Sequence, residues 1–215
     1  QRKFSSIIRQ RHQRDVRAEA HGTTIHVLSM DLKTPYEQMI AAVSKFRAYE
    51  NTVDFINCSF AFHYFCDTVE HLRNIIKFIA QLLKLGAVFT FTVLNGEKVF
   101  GVLGSNTEYN FGEIDGSANK YVIKRMYNGT KLAEVGQTIG IKLPFTDKIY
   151  EEPLCNINYV IKEFKTHGFV LDANNSFDVY LSDFQSENRP MYNQLSAIDI
   201  AYISMHSVVA VRKVK

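Results

Sequence analysis

Asn57-Cys58-Ser59-Phe60-Ala61-Phe62-His63-Tyr64-Phe65 follows the short run Val53-Asp54-Phe55-Ile56. The earlier run alternates apolar residues in the manner of a strand and reads as a buried one. Small polar residues then end it, and aromatics crowd around one histidine. In an open α/β sheet, ligands bind beyond the carboxyl ends of the strands. The stretch is therefore where a ligand is expected: a stacking surface with hydrogen-bonding groups at its edge. The competing reading is a strand-to-helix turn whose aromatics fill the core, the commoner fate of such side chains.

Downstream, Val69, Leu72, Ile75, Ile76, Ile79, Leu82 and Leu83 recur at helical spacing, and Leu85-Gly86 reads as a glycine stop. Ala87 to Leu94 is continuous and β-rich, like a strand covered on both faces, and Asn95-Gly96 closes it with a turn signal. Ile75 to Leu94 is the longest apolar stretch, but Lys77, Lys84 and Gly86 break it, so it reads as helix, turn and strand rather than a membrane span. Upstream, Thr24 to Leu28 reads as a strand ending at Ser29-Met30-Asp31-Leu32, and Pro35 opens a helix running to about Lys45. Residues 1 to 19 carry Arg2, Lys3, Arg9, Arg11, Arg14 and Arg17 among apolar positions, which suits a helix with one basic face.

Alternating strands and helices predict an α/β domain with a parallel, doubly wound sheet up to about residue 105. The pattern then changes. Residues 105 to 119 read as loop, and Tyr121 to Tyr127 and Thr138 to Leu143 as antiparallel strands. Ile157 to Phe164 reads as a helix ending at His167-Gly168, followed by short strands at Phe169 to Leu171 and Phe177 to Tyr180. Residues 183 to 194 read as polar loop and Ser204 to Lys213 as a last strand. The expected organisation is one domain over 1–215, with a Rossmann-like part at 1–104 and the added strands at 105–215.

The 215 residues are 46% hydrophobic with a net charge of +3, enough for a real core and too weakly basic to argue for nucleic acid alone. Cys58, Cys66 and Cys155 are odd in number and form no Cys-x-x-Cys pair, which argues against a disulfide framework and a zinc site. A reducing, intracellular setting is expected.

Phe60-Ala61-Phe62-His63-Tyr64, after a strand, resembles the Gln-Phe-x-x-His-Tyr motif of mRNA cap guanine-N7 methyltransferases. Leu83 to Phe89 is similar to the helix-turn-strand before the fifth strand of class I methyltransferases, and Asn95-Gly96 to their Asp-Gly or Asn-Gly step. Glu152-Pro153-Leu154, ahead of a helix ending in Gly168-Phe169, resembles the family's Glu-Tyr-Leu segment. The flavour is that of capping enzymes of large cytoplasmic DNA viruses, which implies a virus factory, cytoplasm or virion as the setting. The resemblance implies a Rossmann-like class I methyltransferase fold with an antiparallel cap-side extension. It also implies S-adenosylmethionine as cofactor and the capped mRNA 5′ end as partner, with triphosphatase and guanylyltransferase domains fused or associated, and no metal.

Residue by residue, the resemblance places Asp31 at the adenine of the cofactor, with Ser59 and Tyr64 lining its site. It places Phe60 on the guanine, His63 at O6, Glu152 at N1–H and N2–H, and His206 where relatives carry a tyrosine near the cap. Arg2 or Lys3 falls where relatives carry a cation for the triphosphate bridge. No catalytic acid or base is expected, because N7 of guanine already has a free lone pair. The sequence departs from the family in Ser59, which stands for glutamine, and in lacking the Asp-x-Gly-x-Gly loop. The chain thus reads as opening in the helix after the family's second strand. A non-catalytic methyltransferase-like subunit that binds a capping partner or RNA is the alternative.

Overall fold

The computed structural model describes residues 25–46, 49–112 and 120–215. It divides into two compact units, Gln1–Asp31 and Leu32–Lys215. In the first, residues 25–31 are irregular, and Ile25, Val27 and Leu28 are exposed. Of the strand expected from Thr24 to Leu28, the described residues, 25–28, form none. A strand needs a neighbour for its backbone groups, and among the described residues none pairs there. The basic run at 1–19, with Arg2 and Lys3, lies outside the described residues.

The second unit opens with helix α1 (Tyr36–Ser44), tied down by Asn74, whose side chain accepts from the Tyr36 N–H and donates to the Thr34 carbonyl. Strand β1 (Val53–Ser59), a 3-10 turn (Phe62–Phe65), helix α2 (Val69–Leu82) and strand β2 (Leu83–Leu94) follow. The main sheet is completed from the far end of the chain by β7 (Phe169–Ser176) and β8 (His206–Lys213), in the order β1-β2-β8-β7. β1 and β2 pair in parallel, and β8 is antiparallel to both its neighbours, so β1, β2 and β7 run one way and β8 the other. The strands before residue 105 are parallel, as expected, and β8, returning from the far end of the chain, makes the sheet mixed.

One face of that sheet is sealed by rings. Phe62, Phe89, Phe91 and Phe164 are fully buried, with Phe62 stacked on Phe91 at 4.4 Å and Phe89 and Phe164 5.5 Å apart. Phe164 comes from helix α4 (Ile157–Thr166), and Leu72, Ile75, Ile76 and Ile79 of α2 are buried too. Each such side chain stabilises the fold by about 1.5–3 kcal/mol. β1 is not the buried strand expected. It bonds to β2 alone among the described strands, and its alternation leaves Phe55 56% exposed while Ile56 and Cys58 turn inward.

Gly86 does not stop α2. The helix ends at Leu82, and Gly86, with φ +82°, lies within β2. There the pairing jumps from Val53 opposite Leu83 to Phe55 opposite Val88, so extra residues bulge out of the ladder. Asn95-Gly96 is likewise not a plain turn. The Asn95 side chain accepts from the N–H groups of Glu97 and Lys98 and starts helix α3 (Gly96–Leu103). A Cβ on Gly96 would fall 2.3 Å from the Cys155 carbonyl oxygen, so only glycine permits the approach. Gly96 N–H donates to that oxygen, which anchors the Glu152 segment beside the end of β2.

A second sheet is antiparallel throughout: β3 (Glu108–Phe111), β4 (Tyr121–Arg125), β5 (Thr138–Lys142) and β6 (Tyr150–Pro153). β3 occupies part of the expected loop. Leu94, Val99, Leu103, Phe111, Ile123, Ile139, Ile141, Leu154 and Met205 form its core. Near the C-terminus the expected strand at Phe177 to Tyr180 and the loop at 183–194 are instead helices α5 (Phe177–Glu187) and α6 (Arg189–Tyr192). Ser176 caps α5, accepting from the Asp178 N–H. Helix α7 (Ala197–Ile203) follows, with a full capping box between Ser196 and Asp199. The α/β fold with an antiparallel extension expected from the sequence is the fold observed. Among the described residues no helix is long and apolar enough to cross a membrane.

Candidate functional site

β1 ends in a sharp turn. Phe60 takes φ +56°, a left-handed conformation costly for an aromatic residue by about 1–2 kcal/mol, and its N–H donates to the Thr92 carbonyl. The strain turns its ring outward, where it is 55% exposed. The 3-10 turn then sorts its side chains: Phe62 and Phe65 go into the core, Tyr64 is 46% exposed, and His63 lies between at 8%. The two readings of this stretch thus divide between its residues. Phe62 and Phe65 are core aromatics, while Phe60, His63 and Tyr64 form an open edge.

Glu152 reaches the same edge from β6, where the ladder sets it opposite Ile139. Its Oε2 lies 3.3 Å from His63 Nε2. The two do not form an ion pair. Burial lowers the His63 pKa to about 4, helped by His206, and burial raises the Glu152 carboxyl. Each group is driven toward its neutral form, and neither is held charged by the other. The contact is also out of line for a hydrogen bond, so among the described residues His63 Nε2 is buried with no hydrogen-bond partner. Leaving such an atom unmet costs about 1–3 kcal/mol. Tyr64 packs on His63 with ring centroids 4.1 Å apart, and its hydroxyl pKa is raised by burial and by Glu152.

His206, at the start of β8, closes the other side. Its ring meets Phe60 edge-on at 5.6 Å and Tyr202 at 5.3 Å. Nδ1 lies 3.2 Å from the carbonyl oxygens of both Tyr202 and Ile203, so that nitrogen carries the proton and the other presents a lone pair. Burial lowers its pKa, against those two hydrogen bonds. Tyr202 stacks on Tyr121 at 4.1 Å, and burial, then Glu152 and Tyr121, raise its hydroxyl.

Phe60, His63, Tyr64, Glu152 and His206 are therefore gathered in one place from three separate segments. Ser59 sits just before Phe60 on the exposed end of β1, its Oγ accepting from the Asn57 side chain at 3.0 Å. Asp31 lies in the other unit, exposed and irregular. Arg2 lies outside the described residues. Two neighbours were missed from the sequence. Phe177, whose ring is 6.2 Å from Phe60, falls in the segment expected as a strand, and Tyr202 has no sequence signal beyond the capping box that opens α7.

No model of a known protein family matches the chain. Over 99% of its length it is 29% identical to the mRNA-capping enzymes of African swine fever virus, in a tick isolate from South Africa and a warthog isolate from Namibia alike. The chain spans 24% of the length of those relatives. Among solved structures it is similar to an S-adenosylmethionine-dependent methyltransferase from Clostridium acetobutylicum (13% identity, 93% of this chain and 69% of that one, TM-score 0.47). A second is a protein of the same description from Listeria monocytogenes (14% identity, 90% and 72%, TM-score 0.48). The likeness to capping enzymes of large DNA viruses, read from the overall flavour of the sequence, is borne out by the match to the African swine fever virus enzymes.

Proposed function

We propose that this chain transfers the methyl group of S-adenosylmethionine to N7 of the guanine that caps mRNA. The observation that carries the reading is the unmet, buried Nε2 of His63 beside the Glu152 carboxyl, at the edge of an exposed Phe60 ring. A guanine edge offers an acceptor, O6, next to two donors, N1–H and N2–H. A neutral histidine can donate to the first, and a carboxylate can accept from the other two in a charge-assisted pair. Phe60 supplies the face, and such stacking contributes about 1–3 kcal/mol per base. The Glu152 segment is also where this chain resembles the family that methylates caps.

N7 needs no base to remove a proton. The protein's task is to hold the guanine with N7 in line, and positioning of that kind supplies roughly 7–11 kcal/mol. When bound, S-adenosylmethionine supplies an electrophilic methyl group on sulfur. Ser59, Asn57 and Tyr64, polar and exposed at the carboxyl end of β1, fit one side of such a cofactor. Asp31 is the acceptor proposed for its adenine. The partners proposed are the capped 5′ end of mRNA and the triphosphatase and guanylyltransferase activities that a capping enzyme requires.

The test is methyl transfer to guanosine-capped RNA by the full-length gene product, with the product identified as N7-methylguanosine. Glu152→Ala is expected to reduce that transfer at least about a hundredfold, roughly 2.7 kcal/mol for two lost hydrogen bonds. Methylation elsewhere on the RNA, or none, contradicts the reading. A non-catalytic methyltransferase-like subunit that binds a capping partner or RNA is the second reading. Calorimetry on the full-length gene product separates the two: S-adenosylmethionine binding is expected, and cap binding without cofactor binding favours the non-catalytic subunit.

A further inference from the structure

Lys98 is drawn into a polar knot behind the aromatic rings. Its Nζ donates to Ser176 Oγ at 2.6 Å and to the Ser204 carbonyl at 2.5 Å, and lies 3.6 Å from Asp178 Oδ2. Those partners belong to two junctions far apart in sequence. Ser176 is the cap that starts α5, whose first residue is Phe177; Ser204 ends α7, two residues before His206. One ammonium on α3 thus fastens together the two turns that carry these rings.

The rings meet on the far side of the knot. Phe177 lies 6.2 Å from Phe60 and 5.9 Å from His206, and His206 lies 5.6 Å from Phe60. The three form a closed triangle in which each ring touches the other two. Phe60 is the strained, half-exposed member. We infer that Lys98 is a positioning residue, which sets the Phe60 stacking face by clamping the Phe177 and His206 turns against it.

The charge has a second effect. The titratable groups around His206 are His63 from the 3-10 turn, Tyr202 from α7 and Lys98 from α3, with Asp178 of α5 against Lys98 and Glu152 of β6 acting on Tyr202. Burial lowers the His206 pKa, the hydrogen bonds to the Ile203 and Tyr202 carbonyls oppose it, and the Lys98 charge adds a smaller lowering in the same sense as burial. The neutral ring packs on Phe60 without a net charge to hydrate.

The role of Phe60 rests on the guanine reading above, but the clamp can be tested without any ligand. In Lys98→Gln the amide still reaches a carbonyl while the charge is gone. His206, identified in NMR spectra by the signal lost in His206→Phe, is expected to titrate at higher pH than in the parent. Cross-peaks between the Phe177 and His206 rings are expected to weaken. Lys98→Arg, which retains the charge, is expected to leave the His206 midpoint low, and it serves if Lys98→Gln does not fold. Binding of a guanosine-cap dinucleotide to folded Lys98→Gln is expected to weaken roughly threefold to tenfold, the worth of one aromatic contact. A folded Lys98→Gln with the parent's midpoint and ring contacts overturns the inference, as does a Lys98→Arg midpoint raised to that of Lys98→Gln. Failure of the parent protein to bind the cap dinucleotide overturns the guanine reading instead, and the ligand-free readings still decide the clamp.

Discussion

Two carboxylates lie in this molecule among partly buried aromatic rings, and they live under opposite conditions. Asp199 accepts from Lys120 Nζ and the Tyr121 hydroxyl at 2.6 Å each, and from both the N–H and the hydroxyl of Ser196. Burial opposes its ionisation, but those hydrogen bonds prevail and hold its carboxyl well below the usual range. Among the described residues Glu152 has no such company beyond His63 at 3.3 Å. Burial alone moves it, upward, and the histidine beside it is moved down. The first cluster has spent its hydrogen-bonding capacity on itself and serves the fold. The second keeps donor and acceptor unmet at an open edge, an arrangement that stabilises nothing until a ligand supplies the missing partners.

The sharpest way to break that contrast is to exchange the consequences. Glu152→Gln, which preserves shape but turns an amide donor toward the guanine donors, is expected to lower methyl transfer nearly as far as alanine, by about a hundredfold. Its melting temperature is expected to equal or exceed the parent's, since a desolvated acidic group has been relieved. Asp199→Ala is expected to do the reverse. It strands Lys120 and Tyr121 and removes a helix cap, at about 2–3 kcal/mol, or a melting temperature lower by roughly 5–10 °C. A thermal melt of both variants checks the pair. Equal destabilisation would place Glu152 in the framework after all.

Acidification sharpens the same contrast. His63 has a folded pKa of about 4, below its value of 6.5 in an unfolded chain. The unfolded state therefore takes up the proton first. The stability this group contributes is complete above about pH 6.5 and is lost as pH falls through about 4. His206, also lowered, acts in the same sense. Melts of the parent between pH 7 and 4 are expected to fall more steeply than those of His63→Gln; parallel curves would mean His63 is not desolvated as described. The smallest expected effect is the control. Glu151, exposed and on the opposite face of β6, is expected to tolerate alanine with transfer within about twofold of the parent, surface changes of this kind staying within about 0.5 kcal/mol. Loss in Glu151→Ala with none in Glu152→Ala would shift the guanine contact by one residue.

Much of this was legible in the sequence where one residue's neighbours decide its structure. The period of Val69 to Leu82 and the aromatic turn at 60 to 65 found α2 and the site's base. Local signals also existed where the reading failed. Ser176-x-Asp178 and Ser196-x-x-Asp199 are helix starts, but the alternation of Phe177, Val179 and Leu181 imitates a strand. Asn95 could be read as a cap only once the next eight residues were counted as a helix. Partnership in the sheet was not legible. Whether residues 24–28 pair, whether β1 is an edge and which way β8 runs all depend on strands distant in sequence. For the same reason the motif could place His63 and Glu152 together, but nothing local announced Phe177, Tyr202 or Lys98, which join the site only through the return of β7 and β8.

On the proposed function, the His63–Glu152 edge reads guanine. The most direct test of that reading is equilibrium binding of guanosine-capped and adenosine-capped dinucleotides to the parent protein and to Glu152→Ala. Adenine turns a lone pair toward the carboxylate and offers no donor beside it, so the parent is expected to prefer guanosine at least about a hundredfold, and Glu152→Ala to lose that preference. Equal binding of the two dinucleotides by the parent, or a preference that survives in Glu152→Ala, contradicts it.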